Sequence, residues 1–165
     1  MPIKDLLHDH HVVSGLYPVA DAFATSATTD FVSLKDYRRV TFIIHTGDAT
    51  AGTADGTVTL LASAVAAGTS TTALAFSYRS CASSASVDTW GNYTEAAAAG
   101  FSMTAGDNYI YIVEVSADDL EATSAGKYFV AVKVTEVTND PVVASCICIL
   151  SEPRYPGLVP VQAIA

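Results

Sequence analysis

Hydrophobic and polar residues alternate with a period of two along most of the chain, which is the pattern of half-buried β-strands. In residues 37–46, Val40, Phe42 and Ile44 share one face, while polar side chains occupy the other. Similar segments lie at 57–63, 74–79, 127–137 and 142–150, with weaker ones at 17–24 and 30–34. The segment YIYIVEV, residues 109–115, is apolar on both faces and therefore indicates a central strand.

Glycine, aspartate and asparagine separate these segments, as in Thr46-Gly47-Asp48 and Asp55-Gly56, and such residues favour turns. Segments with a helical pattern are few and short. Residues 117–126 are long enough for one or two turns, and residues 94–100 are rich in alanine. The sequence therefore predicts an all-β fold, a single antiparallel β-sandwich of jelly-roll-like type with seven or eight strands.

Both ends of the chain lack the strand alternation. Residues 1–16 mix charged residues with three histidines, and residues 153–165 contain three prolines, which central strands exclude. We therefore expect an N-terminal arm over 1–16, the β-sandwich over 17–152 and a C-terminal tail over 153–165.

Charge and composition exclude several kinds of partner. Eight Lys and Arg against 17 Asp and Glu give a formal net charge of -9, which opposes binding to nucleic-acid phosphates. No apolar run has the length of a membrane span or a signal peptide, so we expect no membrane partner and synthesis in the cytoplasm. Half the residues are hydrophobic and 15% are charged, which favours a chain packed into an assembly.

Cys146 and Cys148 stand two apart in a strand segment, so their side chains point to the same face. Their β-carbons would lie roughly 6 to 7 Å apart, which is too far for a relaxed disulfide. Cys81 could add a third thiolate to a metal site, but a closed zinc site needs four ligands. We therefore favour two small core side chains over a redox or metal site.

Histidines cluster near the start of the chain, at His8, His10 and His11 around Asp9. Imidazole and carboxylate can bind transition metals, but such a site also needs fixed geometry, which an arm supplies poorly. We therefore expect these histidines to contact a neighbouring subunit. Because the sequence has no nucleophile elbow and no phosphate-binding glycine loop, we predict no enzyme activity, no catalytic residue and no cofactor.

Aromatic residues give the more informative candidates for an interface. Trp90 and Tyr93 lie in one loop, and Arg154, Tyr155 and Pro156 follow the last strand segment. Trp, Tyr and Arg dominate binding energy at protein interfaces. A tryptophan that merely covers the end of the sandwich is the alternative for Trp90.

Several segments within residues 30–157 resemble capsid decoration, or cement, proteins of tailed bacteriophages. The most specific marks are Tyr78-Arg79, Asp88-Thr89-Trp90-Gly91, Asn139-Asp140-Pro141 and residues 151–155, SEPRY. The resemblance implies a β-sandwich that binds the major capsid protein on the outer surface of an icosahedral virion, at threefold or twofold positions. It also implies self-association, as a homotrimer in preference to a homodimer.

Three hypotheses for function follow. The first is a structural virion protein that stabilises contacts between capsid subunits. The second is a tail or fibre module that recognises a carbohydrate or cell-surface receptor through Trp90, Tyr93 and loop carboxylates. The third is a jelly-roll enzyme with a metal held by the N-terminal histidines.

Overall fold

A computed structural model describes residues 6–49, 56–82, 89–104, 108–137, 141–155 and 164. The elements in chain order are α1 (Leu6–Asp9), β1 (His10–Val19), β2 (Ser26–Thr28), β3 (Val32–Ser33), β4 (Tyr37–Ala49), β5 (Gly56–Ser63), β6 (Thr72–Leu74), β7 (Phe76–Ala82), β8 (Thr94–Ala96), β9 (Phe101–Ser102), β10 (Tyr109–Ser116), α2 (Ala117–Thr123), β11 (Phe129–Glu136) and β12 (Val142–Pro153).

The strands form two antiparallel sheets. Sheet 1 has the order β1-β12-β4-β10-β7-β8, and sheet 2 has the order β2-β11-β5-β6, with β3 beside β11 and β9 beside β5. Their inner faces enclose one hydrophobic core. This arrangement confirms the predicted all-β sandwich, and β10 is the central strand that its two apolar faces predicted, paired with β4 and β7.

Strand alternation builds the core directly, because every second residue of a strand points to the same side. From sheet 1, Phe42 and Val113 point inward and are fully buried, and from sheet 2 Val58 and Val130 do the same. An aromatic group closes one part of the core, where Phe101 stacks on Tyr78 with ring centroids 3.7 Å apart. Branched and aromatic side chains of this kind pack well between pleated sheets.

The predicted N-terminal arm is wrong for residues 10–16. They belong to β1, which pairs antiparallel with β12 from His10 opposite Ser151 to Leu16 opposite Cys146. Hydrogen bonding to β12 overrides the weak alternation of β1, which contains Gly15 and Pro18. Its register shifts on either side of Leu16, so β1 is an irregular strand at the edge of sheet 1.

The C-terminal boundary lies close to the predicted one. β12 ends at Pro153, and Glu152 adopts a positive φ of 57° at this end. Pro156, which we expected at an interface, lies outside the described residues. Ile164 packs against the core, so this part of the predicted tail returns to its own chain.

The two segments with a weak helical pattern adopt different secondary structures. Residues 117–123 form α2, where Ser116 caps the helix by accepting a hydrogen bond from the Asp119 amide at 3.0 Å. Residues 94–96 instead form β8 on β7. No helix in the described ranges is long and apolar enough to cross a membrane.

Cys146 and Cys148 point into the core, and their exposed fractions are 2% and 0%. Neither forms a disulfide, and the buried Cys81 forms none either. The prediction of small core side chains is therefore confirmed.

Candidate functional site

The outer face of sheet 1 carries a group of isoleucines near its middle. In the sheet register, Ile147 lies opposite Ile43, and Ile43 lies opposite Ile112. Ile149 extends the group on β12, and Ile147 is 45% exposed. We call Ile43, Ile112, Ile147 and Ile149 the isoleucine face.

The isoleucine face follows from strands that are apolar on both sides. Inward residues of β4, β10 and β12 fill the core, so their isoleucines lie on the outer side of the sheet, where Ile147 is exposed and the other three are half-buried. Scattered exposed apolar residues are ordinary, but a contiguous group with a polar border marks an interaction surface. The geometry is suited to contact with another macromolecule.

A polar cluster centred on Glu114 borders the isoleucine face. The Tyr93 hydroxyl donates to Glu114 Oε2 at 3.1 Å, and the Thr41 hydroxyl donates to Glu114 Oε1 at 3.4 Å. The Arg79 guanidinium lies 4.9 Å from the centre of the Tyr93 ring, which is cation-π geometry. These contacts fix the Tyr93 side chain although the residue is 51% exposed.

Arg39 joins this cluster from β4. Its Nε donates to Glu152 Oε1 at 3.1 Å, and this hydrogen bond is the main reason that the pKa of Arg39 is raised. Burial, and then the nearby Glu114 carboxylate, raise the pKa of Tyr93. Arg39 therefore stays charged and Tyr93 stays protonated at neutral pH, so the cluster combines hydrogen-bond donors with carboxylate acceptors.

A cleft of about 790 Å³ opens beside the cluster, towards α2. Its apolar lining includes Leu74, Phe76 and Leu120. Its polar lining comes from Arg39, Ser77, Tyr93, Glu95, Glu114, Ser116, Asp119 and Thr123. An apolar base with a few converging polar groups is the usual form of a small-ligand site.

The predicted histidine candidates do not form one cluster. His10 and His11 are consecutive in β1 and so point to opposite faces of sheet 1. His10 Nδ1 lies 3.1 Å from the Leu6 carbonyl oxygen, and the His11 ring packs 6.1 Å from Tyr37. The His8 side chain lies outside the described part of the chain. Within the described residues, no three His, Cys, Asp or Glu side chains are grouped to hold a metal ion.

Tyr93 and Trp90, the predicted aromatic pair, lie in two different environments. Tyr93 lies in the Glu114 cluster and lines the cleft. Trp90, 39% exposed, is not among the cleft residues. The Gly91 amide beside Trp90 donates to the Ser80 carbonyl at 2.9 Å, which attaches this loop to β7.

Arg154 and Tyr155 lie together at a smaller groove of about 430 Å³, as neighbours of Lys35 and Tyr128. The Arg154 amide donates to the Asp36 carbonyl at 2.8 Å, which fixes the chain just after β12. Tyr155 is 60% exposed. These two predicted residues are therefore accessible, but they belong to a different surface from the isoleucine face.

Sequence reasoning missed Arg39, Arg79 and Glu114 as members of the site. A signal for Glu114 was present, because it is the single charged residue in YIYIVEV. Its contact with Thr41 joins residues 73 positions apart and depends on the pairing of β4 with β10. A period-two pattern gives the face of each residue but not its neighbour across the sheet.

The chain matches no protein-family model and no curated protein sequence. Among solved structures, it is similar to the crystal structure of the SPBc2 prophage-derived protein YomS, at 17% sequence identity and a TM-score of 0.44. The match covers 86% of this chain and 93% of that chain.

Proposed function

We propose that the chain is a structural virion protein that binds the outer surface of an icosahedral phage capsid. In this role its partner is the major capsid protein, and it stabilises contacts between capsid subunits. It is made in the host cytoplasm and contributes binding energy rather than catalysis.

The observation that carries the proposal is the isoleucine face. Burying this face against a capsid subunit would remove apolar area from water at about 25 cal/mol per Å². The face lies on a paired, regular sheet, so binding would cost little ordering of the chain. In an icosahedral shell each such contact recurs by symmetry, so a modest free energy per copy accumulates over the particle.

The experiment is to add purified protein to undecorated capsids and to measure saturable binding. The variant Ile112→Glu places a negative charge in the isoleucine face. Arg79 on β7 lies directly opposite residue 112, and its positive charge lowers the cost of the substitution to folding. We expect binding to weaken by about 100-fold, which corresponds to about 2.7 kcal/mol, because the carboxylate would lose its water.

The matched control is Val65→Glu, which makes the same change of charge at an exposed loop residue between β5 and β6. It should bind capsids like the unmodified chain. Equal binding by the two variants, or an unmodified chain that never saturates the capsids, would contradict the proposal.

A second candidate function is recognition of a carbohydrate, and the cleft lined by Tyr93 favours it. Aromatic rings can pack on sugar rings, while carboxylates and arginine can hydrogen-bond to hydroxyl groups. Tyr93, Glu95 and Arg39 supply these groups around an apolar base. This function would belong to a receptor-binding module of a tail or fibre.

A glycan array tests the second candidate. Tyr93→Ala should abolish glycan binding, because it removes the ring that lines the cleft. Trp90→Ala should leave binding unchanged, because Trp90 is not among the cleft residues. An array without any bound glycan, or binding lost with Trp90→Ala alone, would count against this cleft as the receptor site.

A further inference from the structure

The strand β1 is an edge of sheet 1 along ten residues. Edge strands present unpaired amide and carbonyl groups, and proteins usually protect them with charged side chains. The sequence of β1, HHVVSGLYPV, contains no Asp, Glu, Lys or Arg. The whole chain has 25 such residues, 8 basic and 17 acidic. This edge therefore lacks protection by charge, although register shifts around Leu16 and the proline Pro18 interrupt its second half.

The part of the β1 edge that could pair with a further strand is His10–Ser14. The Gly15 carbonyl already accepts a hydrogen bond from the Asp30 amide at 3.2 Å. Pro18 has no amide hydrogen to donate. Among the described residues, no segment other than β12 pairs with His10–Ser14.

We propose that β1 pairs antiparallel with β1 of a second copy of this chain, about a twofold axis at Val12. In this register Val12 faces Val12 of the second copy, and His10 faces its Ser14. The interface is isologous, so each copy supplies the same surface to the other. Sheet 1 would then continue across the axis into a twelve-stranded sheet, from the six strands of each copy.

Exposed apolar residues support this register. Leu6 and Leu7, just before β1, are 57% and 61% exposed, and Tyr17 near its end is 73% exposed. Antiparallel pairing about Val12 brings the start of one segment to the end of the other, so the two leucines approach Tyr17 and Pro18 of the second copy. One symmetry operation thus covers apolar side chains at both ends of the strand.

Charge also favours a second copy at this edge. The net charge of -9 makes two copies repel each other at most orientations. The shallow groove of about 290 Å³ beside β1 is lined by uncharged residues, namely Val12, Val13, Ser14, Leu16, Pro18, Ser145 and Ile147. Over His10–Ser14, approach along β1 therefore brings together side chains that carry no formal charge.

The test is the mass of the full chain in solution, measured by sedimentation over a range of concentrations without capsids. The unmodified chain should give twice its monomer mass of 17.2 kDa. Val12→Lys should be monomeric, because each lysine meets its own copy at the axis. Val65→Lys, a change at a loop residue that is 45% exposed, should remain dimeric.

A charge exchange tests the register itself. Val12→Glu should also be monomeric, whereas an equimolar mixture of Val12→Lys and Val12→Glu chains should form heterodimers through opposite charges at the axis. A mixture that stays monomeric, an unmodified chain that is monomeric throughout, or an oligomer that Val12→Lys leaves intact would overturn the proposal.

Hydrogen exchange of the unmodified chain provides a measurement that does not depend on any variant. The amides of His10–Ser14 that point away from β12, every second one along the strand, should be protected at high concentration and should lose protection on dilution. Protection of these outward amides that is independent of concentration would also overturn the proposal. Because no capsid is present in these experiments, their outcome is separate from the outcome for capsid binding.

Discussion

Replacing Gly100 with alanine is expected to destabilise the fold by about 3 kcal/mol or more. Gly100 has a φ of +87°, a conformation that residues with a β-carbon rarely adopt. A β-carbon at this position would also lie 2.0 Å from the Val58 carbonyl oxygen, which belongs to the backbone of β5 and cannot move aside easily. The substitution therefore forces β9 away from β5.

Gly126→Ala is the matched control for this prediction. Gly126 has a similar φ of +78°, but a β-carbon there would have no neighbour within 4 Å. It should cost about 1 kcal/mol, from the backbone conformation alone. Urea unfolding at one fixed protein concentration measures both variants, and equal losses of unfolding free energy would show that Gly100 does not approach β5 so closely.

Much of the sandwich could be predicted because its long strands alternate regularly. β4, β5, β10, β11 and β12 each have enough residues for the period of two to stand out. The strands β2, β6, β8 and β9 have two or three residues and consist mainly of alanine, threonine and serine. Their structure comes from pairing with a longer neighbour, which a local pattern does not reveal.

β1 is a more instructive case, because the sequence predicts an arm for its residues 10–16. Gly15 and Pro18 interrupt its alternation, and its first two residues are histidines. The strand forms because β12 presents a complementary edge to it, from 125 or more residues later in the chain. The same irregular sequence leaves its other edge uncharged, which is the basis of the proposed dimer.

The candidate site was predictable in part for a similar reason. Tyr93 stood out by residue type, since aromatic residues are enriched at binding surfaces. The positions of its partner Glu114 and of the neighbouring Arg39 could be predicted only from the order of strands in sheet 1.

The proposed dimer would also enlarge the isoleucine face. If β1 pairs with β1 of a second copy, Val12 and Ile149 of both copies would become adjacent. The isoleucine face would then extend across the axis, and capsid binding would gain a second copy of this surface.

Above pH 9 the protein is expected to lose stability, with Cys148 as a main cause. A side-chain hydrogen bond with Cys146, followed by burial, raises the pKa of the Cys148 thiol above its ordinary value of 9.0. Below this pH the thiol is protonated in both the folded and the unfolded chain, so it causes no pH dependence. Above it, the unfolded chain releases the proton while the folded chain retains it, and the free energy of unfolding falls by up to about 1.4 kcal/mol per pH unit.

Chemical unfolding at intervals between pH 8 and pH 10 measures this slope, and Cys148→Ala should make it shallower by up to about 1.4 kcal/mol per pH unit. The comparison ends near pH 10 because burial also raises the pKa of Tyr37 and Tyr93 above 10.0, so these residues add their own losses at higher pH. Slopes that agree between Cys148→Ala and the unmodified chain would contradict the assignment. A β-carbon on Gly15 would lie 2.7 Å from Cys148 Sγ, so the thiol occupies the space that this glycine leaves. Ionisation of the Cys148 thiol would therefore place a charge directly beneath β1.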